Sequence, residues 1–127
     1  MISINKDIRN ILINDNEINS IVDNKIYTLY VPDSSIDAPF IILNRLSNDR
    51  SYVKDEKQKD NIKFNIIVVH NEYPDCIDLA EKVDNLIDTY KFNNEKYKGQ
   101  IRNTNIREAY TGEYMIDLEY YISIEYK

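Results

Sequence analysis

The sequence contains few of the residues that build compact chemical sites. It has one cysteine, one histidine, two glycines, three prolines and no tryptophan in 127 residues. The single cysteine, Cys76, excludes an internal disulfide and any CxxC metal or redox pair. Two glycines leave no glycine-rich loop to cradle a phosphate, so nucleotide binding is not expected. The sequence also lacks a calcium-loop pattern and any apolar run long enough to cross a bilayer.

The charge balance argues against nucleic acid as a sequence-specific ligand. Sixteen basic and 22 acidic residues give a formal net charge of -6. Proteins that wrap a phosphate backbone draw affinity from Lys and Arg, so a negative charge disfavours this class. The first residues carry no secretion or organelle signal, and we expect a soluble protein, without membrane contact, that stays where it is made.

Length and hydrophobic spacing predict one α+β domain spanning residues 1–127. Apolar residues at helical spacing predict a first helix from Ile4 to Ile13 and a short second helix from Asp15 to Val22. An apolar stripe from Cys76 to Tyr90, with Asp75 as its cap, predicts the clearest helix in the chain.

Five further segments have strand character because β-branched, aromatic or alternating apolar residues dominate them. They are Lys25–Val31, Phe40–Leu46, Asn61–Val69, Gln100–Glu108 and Tyr114–Tyr126. The last alternates strictly along its length, which is typical of a half-buried antiparallel strand. The predicted order is α-(α)-β-β-β-α-β-β, with two main helices packed on a mostly antiparallel sheet.

A charged segment separates two of these strands. Residues 47–60 read SNDRSYVKDEKQKD, a length and composition that fit either a mobile loop or an extended hairpin arm. We expect this segment to be poorly ordered in an isolated subunit and to become ordered on assembly. Arg50, Tyr52, Lys54 and Lys57 are therefore candidate contacts to a neighbouring subunit, and a solvated loop is the alternative.

The 11 tyrosines exceed what a small core requires. Most are expected to pack within the sheet, but tyrosine is also enriched in protein interfaces. Tyr114, Tyr121 and Tyr126 lie on the last strand, at a predicted sheet edge, and are candidate assembly contacts.

One residue pair resembles a catalytic pair. His70 and Cys76 are close in sequence, and a cysteine beside a histidine can act as a nucleophile with its base. Cys76 falls on the apolar stripe of its helix, and no third orienting group or oxyanion loop accompanies the pair. This pattern favours a buried core cysteine, and we expect no catalytic residue and no enzymatic activity.

The same helix carries several carboxylates, which can bind a divalent cation when they converge. Here they spread around the polar half of an amphipathic helix, which favours a solvated face. The residues concerned are Asp75, Asp78, Glu81, Asp84 and Asp88. We expect neither a metal nor a cofactor.

The order of short motifs along the chain is more informative than any one of them. A small helix, a turn and a strand run through Ile21–Tyr27, and a strand after a proline follows in Ala38–Leu43. Phe64–Val69 then leads to the helical segment Leu79–Ile87 and to the closing alternating strand. This order resembles the tail-completion proteins of long-tailed bacteriophages, also called tail terminators or tail-to-head joining proteins. The charge of residues 47–60 and the scarcity of small residues depart from the family pattern.

The resemblance implies a structural role. Such proteins form a ring, usually a hexamer, on the end of the tail tube, where they stop tube growth and join the tail to the head. The expected partners are other copies of the chain, the tail-tube protein and a head-closure or neck protein. The expected location is the tail or neck of the virion, after assembly in the bacterial cytoplasm. An acidic ring would let DNA pass without binding it.

Two alternatives stay open at this stage. The chain fits another neck or tail component, such as a head-closure or tube protein. Its size and negative charge also fit a small acidic inhibitor or an antitoxin-like binding module, and an enzyme ranks third.

Overall fold

Three helices and six strands occur in residues 2–52 and 58–127, the part of the chain that the computed structural model describes. Their order is α-α-β-β-β-α-β-β-β. The bounds are α1 Ile4–Asn14, α2 Asn16–Val22, β1 Ile26–Thr28, β2 Phe40–Tyr52, β3 Gln58–His70, α3 Tyr73–Ile87, β4 Lys91–Asn93, β5 Tyr97–Tyr110 and β6 Tyr114–Tyr126. The α+β class is confirmed. The structure adds the short strand β4 to the predicted order, and the predicted short second helix is α2, with seven residues.

The six strands form one sheet in the order β1-β2-β3-β6-β5-β4. Every neighbouring pair is antiparallel except β1 and β2, which are parallel. The mostly antiparallel sheet is therefore as predicted. β6 is a central strand between β3 and β5, so the prediction that Tyr114, Tyr121 and Tyr126 lie at a sheet edge is wrong. β5 pairs with the other side of β6, and β4 pairs in turn with β5, so these tyrosines lie on an interior strand.

The helices cover one face of this sheet. Alternate residues of β3 from Ile62 to Val68 and of β6 from Ile116 to Ile124 point to this face and are buried. The helices contribute apolar stripes, including Ile4, Ile8 and Leu12 of α1. Burying such continuous apolar surface is the main favourable term in folding. A second, smaller apolar cluster around Phe40 and Val69 lies apart from this main core.

The segment from Ser47 to Asp60 is not a loop in its described residues. β2 and β3 continue as an antiparallel hairpin, in register from Ser47 opposite Lys63 to Tyr52 opposite Gln58. Of the two alternatives, the extended hairpin arm is confirmed for residues 47–52 and 58–60. The pairing with β3 satisfies the backbone, and Asp49 and Arg50 remain exposed, whereas the Asp60 side chain is buried.

Two predicted boundaries are wrong for local reasons. β1 ends at Thr28 because Leu29 adopts a φ of 71°, which is left-handed backbone. α3 begins at Tyr73, and its N-cap Glu72 lies three residues before the predicted cap Asp75. Pro74 fits the first turn because its missing N–H has no intrahelical partner there, and Asp75 sits favourably near the positive end of the helix.

Candidate assembly surfaces

Asp60 is the centre of a polar cluster on the hairpin arm. Its side chain has no exposed surface, and its Oδ1 lies 3.6 Å from Nε of Arg50 on the paired strand β2. The Tyr126 hydroxyl at the end of β6 donates a 2.7 Å hydrogen bond to Oδ2. Burial, together with this bond, raises the pKa of Tyr126 to about 12. Arg50 and Tyr126, which the sequence suggested as assembly contacts, therefore both bind within the subunit.

Three more tyrosines donate to carboxylates on distant segments. The pairs are Tyr97–Asp7 at 2.6 Å, Tyr120–Asp84 at 2.7 Å and Tyr73–Glu108 at 2.8 Å. They connect α1 to β5, α3 to β6 and α3 to β5. Burial is the main cause that raises the pKa of Tyr97 and of Tyr120, and the hydrogen bond to the carboxylate adds to it. Much of the unusual tyrosine content thus holds the subunit together.

The two other tyrosine candidates also have partners inside the fold. Tyr121 donates a 2.8 Å hydrogen bond to Oδ1 of Asn61 on β3. The Tyr114 ring packs 5.4 Å from Tyr73 and 4.8 Å from Tyr110, measured between ring centroids. Tyr110 is 63% exposed, so this aromatic cluster reaches the surface.

Of the remaining candidates, Tyr52 is the last paired residue of β2, and Lys54 and Lys57 lie outside the described residues.

His70 and Cys76 do not form an activated pair. Cys76 has no exposed surface, and its thiol faces the backbone oxygens of Val68 and Tyr114, each at 3.6 Å. Burial raises the pKa of the Cys76 thiol, which opposes formation of the thiolate nucleophile. The Nδ1 atom of His70 accepts a hydrogen bond from the Glu72 N–H instead.

The carboxylates of α3 spread as predicted. Asp75, Asp78 and Glu81 are exposed, whereas Asp84 accepts from Tyr120 and the following Asp88 accepts from the backbone N–H of Asn103. Within residues 2–52 and 58–127, no group of three or more His, Cys, Asp or Glu side chains is arranged to hold a metal ion. In the same residues, no helix is both long and apolar enough to span a membrane.

A polar network on the helix-free face of the sheet was not expected from the sequence. Asn65, which is 5% exposed, donates from Nδ2 to Oδ1 of Asp117 at 2.9 Å. Arg107 pairs with Asp117 at 3.1 Å and with Glu119 at 3.6 Å. This network joins β3, β6 and β5 across the sheet. The only feature of the sequence that indicates this network is the set of polar residues that alternate with the apolar ones in β6.

The sheet has two long open edges. β1 pairs only with Ile41–Leu43 of β2, and β4 pairs only with Lys98–Gln100 of β5. In the described chain, no strand pairs with the outer edge of β2 beyond Leu43 or with that of β5 beyond Asn103. Leu46 on β2 is 47% exposed and Ile106 on β5 is 54% exposed. Unpaired edges of this length are templates for pairing with another chain.

The fold is shared with a protein of a virus-like particle. A chain of the structure described as the virion of a native gene transfer agent (GTA) particle superimposes with a TM-score of 0.74. The match covers 93% of this chain and 91% of that chain, at 14% sequence identity. At this identity the similarity is one of fold. No family model and no curated protein sequence matches the chain.

Proposed function

We propose that this chain is a structural protein of a phage-like particle, and specifically a tail-completion protein that forms a ring at the end of the tail tube. The observation that carries the proposal is the fold shared with a GTA virion chain over nearly the full length of both chains. The order of motifs that resembles tail-completion proteins supports the finer assignment. The proposed partners are other copies of the chain, the tail-tube protein and a head-closure or neck protein, and the proposed location is the tail or neck.

The open sheet edges support self-association into a ring. A ring needs a head-to-tail contact between two unlike surfaces of the same subunit. The outer edges of β2 and β5 lie on opposite sides of the sheet and differ in sequence. Each strand from β2 through β3 and β6 to β5 is antiparallel to the one before, so β5 runs opposite to β2. A neighbouring copy in the same orientation therefore presents β2 antiparallel to β5.

The proposed role involves no reaction. The buried thiol of Cys76, whose pKa is raised, supports a structural residue and not a nucleophile. Asp84 of α3 and Asp88, which follows it, accept hydrogen bonds from Tyr120 and the backbone of Asn103, which supports a positioning role for them.

Electron microscopy of the purified protein, alone and mixed with tail tubes, tests the proposal. We expect rings with a central opening, and single rings bound at one end of each tube. Added ring protein should also stop tube growth when tube subunits are supplied. Rings that bind heads but not tubes would indicate a head-closure protein. Purified protein that neither forms rings nor binds tubes or heads would contradict a role in the virion.

A further inference from the structure

A groove opens between α3 and the second half of β5, on the face of the sheet that the helices cover. Its volume is about 590 Å³. Ala80, Ile116 and Leu118 line it although each is at most 5% exposed. Side chains of the main core therefore form part of the groove surface. An apolar concave surface of this size suits the side chains of a bound partner.

The groove exists because α3 packs mainly against β3 and β6. α3 touches β5 through the hydrogen bond from Tyr73 to Glu108, and no described helix packs extensively on β5 beyond the bulge between Asn103 and Asn105. Ile106, opposite Leu118 in register, remains 54% exposed and forms the outer wall of the groove.

The rim of the groove is acidic. Glu81, Asp84 and Glu108 line it, and among residues 2–52 and 58–127 no Lys or Arg does. Within the described residues none of the three carboxylates forms an ion pair, and the only basic residue of α3, Lys82, pairs with Glu17 at 3.6 Å. Asp84 and Glu108 accept hydrogen bonds from Tyr120 and Tyr73, which are neutral donors and leave the negative charge in place, and Glu81 is exposed. The groove thus combines an apolar floor with negative charge that no described ion pair neutralises.

We propose that this groove binds a short segment of another protein that presents apolar side chains flanked by Lys or Arg. The apolar side chains would contact the floor at Ile116 and Leu118, and the basic ones would pair with the rim. Complementary charge selects the partner and speeds encounter, while an acidic segment is repelled. A second copy of this chain is less favoured by charge because its net charge is -6, and the surface proposed for self-association is the backbone edge of β5, not the groove. The inference does not depend on the proposed role in the tail.

The test uses the purified full chain and a fluorescently labelled peptide of alternating leucine and lysine. Two control peptides replace either all lysines with glutamate or all leucines with serine. We expect saturable binding of the leucine–lysine peptide, measured by fluorescence anisotropy, and much weaker binding of both controls. Equal binding of the serine–lysine peptide would overturn the proposal because charge alone would then account for binding.

Matched variants locate the binding site. Glu81→Lys changes the rim, and Asp78→Lys makes the same charge change on the same helix outside the groove. Ile106→Ser changes the wall, and Leu46→Ser is its control on the opposite edge. We expect the groove variants to weaken peptide binding about tenfold or more and the controls to leave it nearly unchanged. Circular dichroism checks that all four fold.

Three other outcomes would overturn the inference. The first is no binding of the leucine–lysine peptide to the wild-type chain. The second is equal loss in groove and control variants. In the third, Glu81→Lys and Ile106→Ser abolish self-association, measured by light scattering, but leave peptide binding unchanged. That result would identify a second copy of the chain as the occupant.

Discussion

The Tyr126 hydroxyl donates a 2.7 Å hydrogen bond to Oδ2 of Asp60, a side chain with no exposed surface. This contact joins the last residues of β6 to the beginning of β3, which are 66 positions apart in the sequence. Arg50 approaches the other carboxylate oxygen of Asp60. The hairpin arm, which carries several candidate assembly residues, is thus fixed to the sheet by a buried charge and its partners.

Removal of the Tyr126 hydroxyl should destabilise the subunit. We expect Tyr126→Phe to lower the free energy of unfolding by about 1–3 kcal/mol, because a buried charged acceptor loses a hydrogen bond. Urea unfolding measures the change. Tyr30→Phe is the matched control, since Tyr30 is 68% exposed, and it should change the free energy little. Equal, small effects of the two substitutions would show that the Asp60 contact contributes nothing.

Stability should fall at alkaline pH. The pKa of Tyr126 is raised from its ordinary value of 10.0 to about 12, and burial also raises the pKa of Tyr97 and Tyr120. A raised folded-state pKa means that stabilisation is complete below the unfolded value and is lost as the pH rises through the folded value. We therefore expect urea midpoints to decline above pH 10, and to decline less in Tyr126→Phe. Identical pH profiles for the two proteins would contradict the contribution of Tyr126.

Charge reversal at Arg50 should affect folding as well as assembly. Arg50→Glu would place a second carboxylate beside buried Asp60, and we expect a loss of about 1–3 kcal/mol in the free energy of unfolding. Arg102→Glu makes the same charge change at an exposed site where the described contact is a hydrogen bond to Gln100. Its effect should be within about 0.5 kcal/mol. If Arg50→Glu unfolds at the wild-type urea concentration, the ion pair is not stabilising.

The hairpin arm should be ordered before assembly. The structure pairs residues 47–52 with residues on β3 from Gln58 to Lys63, in contrast to the disorder that composition suggested. We expect amides that bond between these strands to exchange slowly in the isolated subunit, relative to the loop 33–37, which lies outside any strand. Hydrogen exchange followed by mass spectrometry resolves both segments. Fast exchange of the arm in the free subunit, with protection gained only on assembly, would restore the original expectation.

The sequence predicted the helices and strands themselves better than it predicted which of them pair or pack together. Strict alternation identified β6, and the apolar stripe from Cys76 identified α3, because burial on one face imposes a regular period. The central position of β6 was not predictable, since it depends on which strands pair outside it. Arg50 and Tyr126 were interpreted as assembly contacts. Their contacts with Asp60 form only when the sheet folds, and no spacing in the sequence indicates them. The groove between α3 and β5 depends on a gap between elements, which has no sequence pattern.

The central claim is that this chain completes a phage-like tail and joins it to the head. Deletion of its gene, followed by electron microscopy of the particles that the source cells release, tests this claim most directly. The proposed function predicts filled heads separate from tails, tails of abnormal length, and rescue by the wild-type gene supplied in trans. Normal joined particles with tails of normal length, produced without the gene, would contradict it.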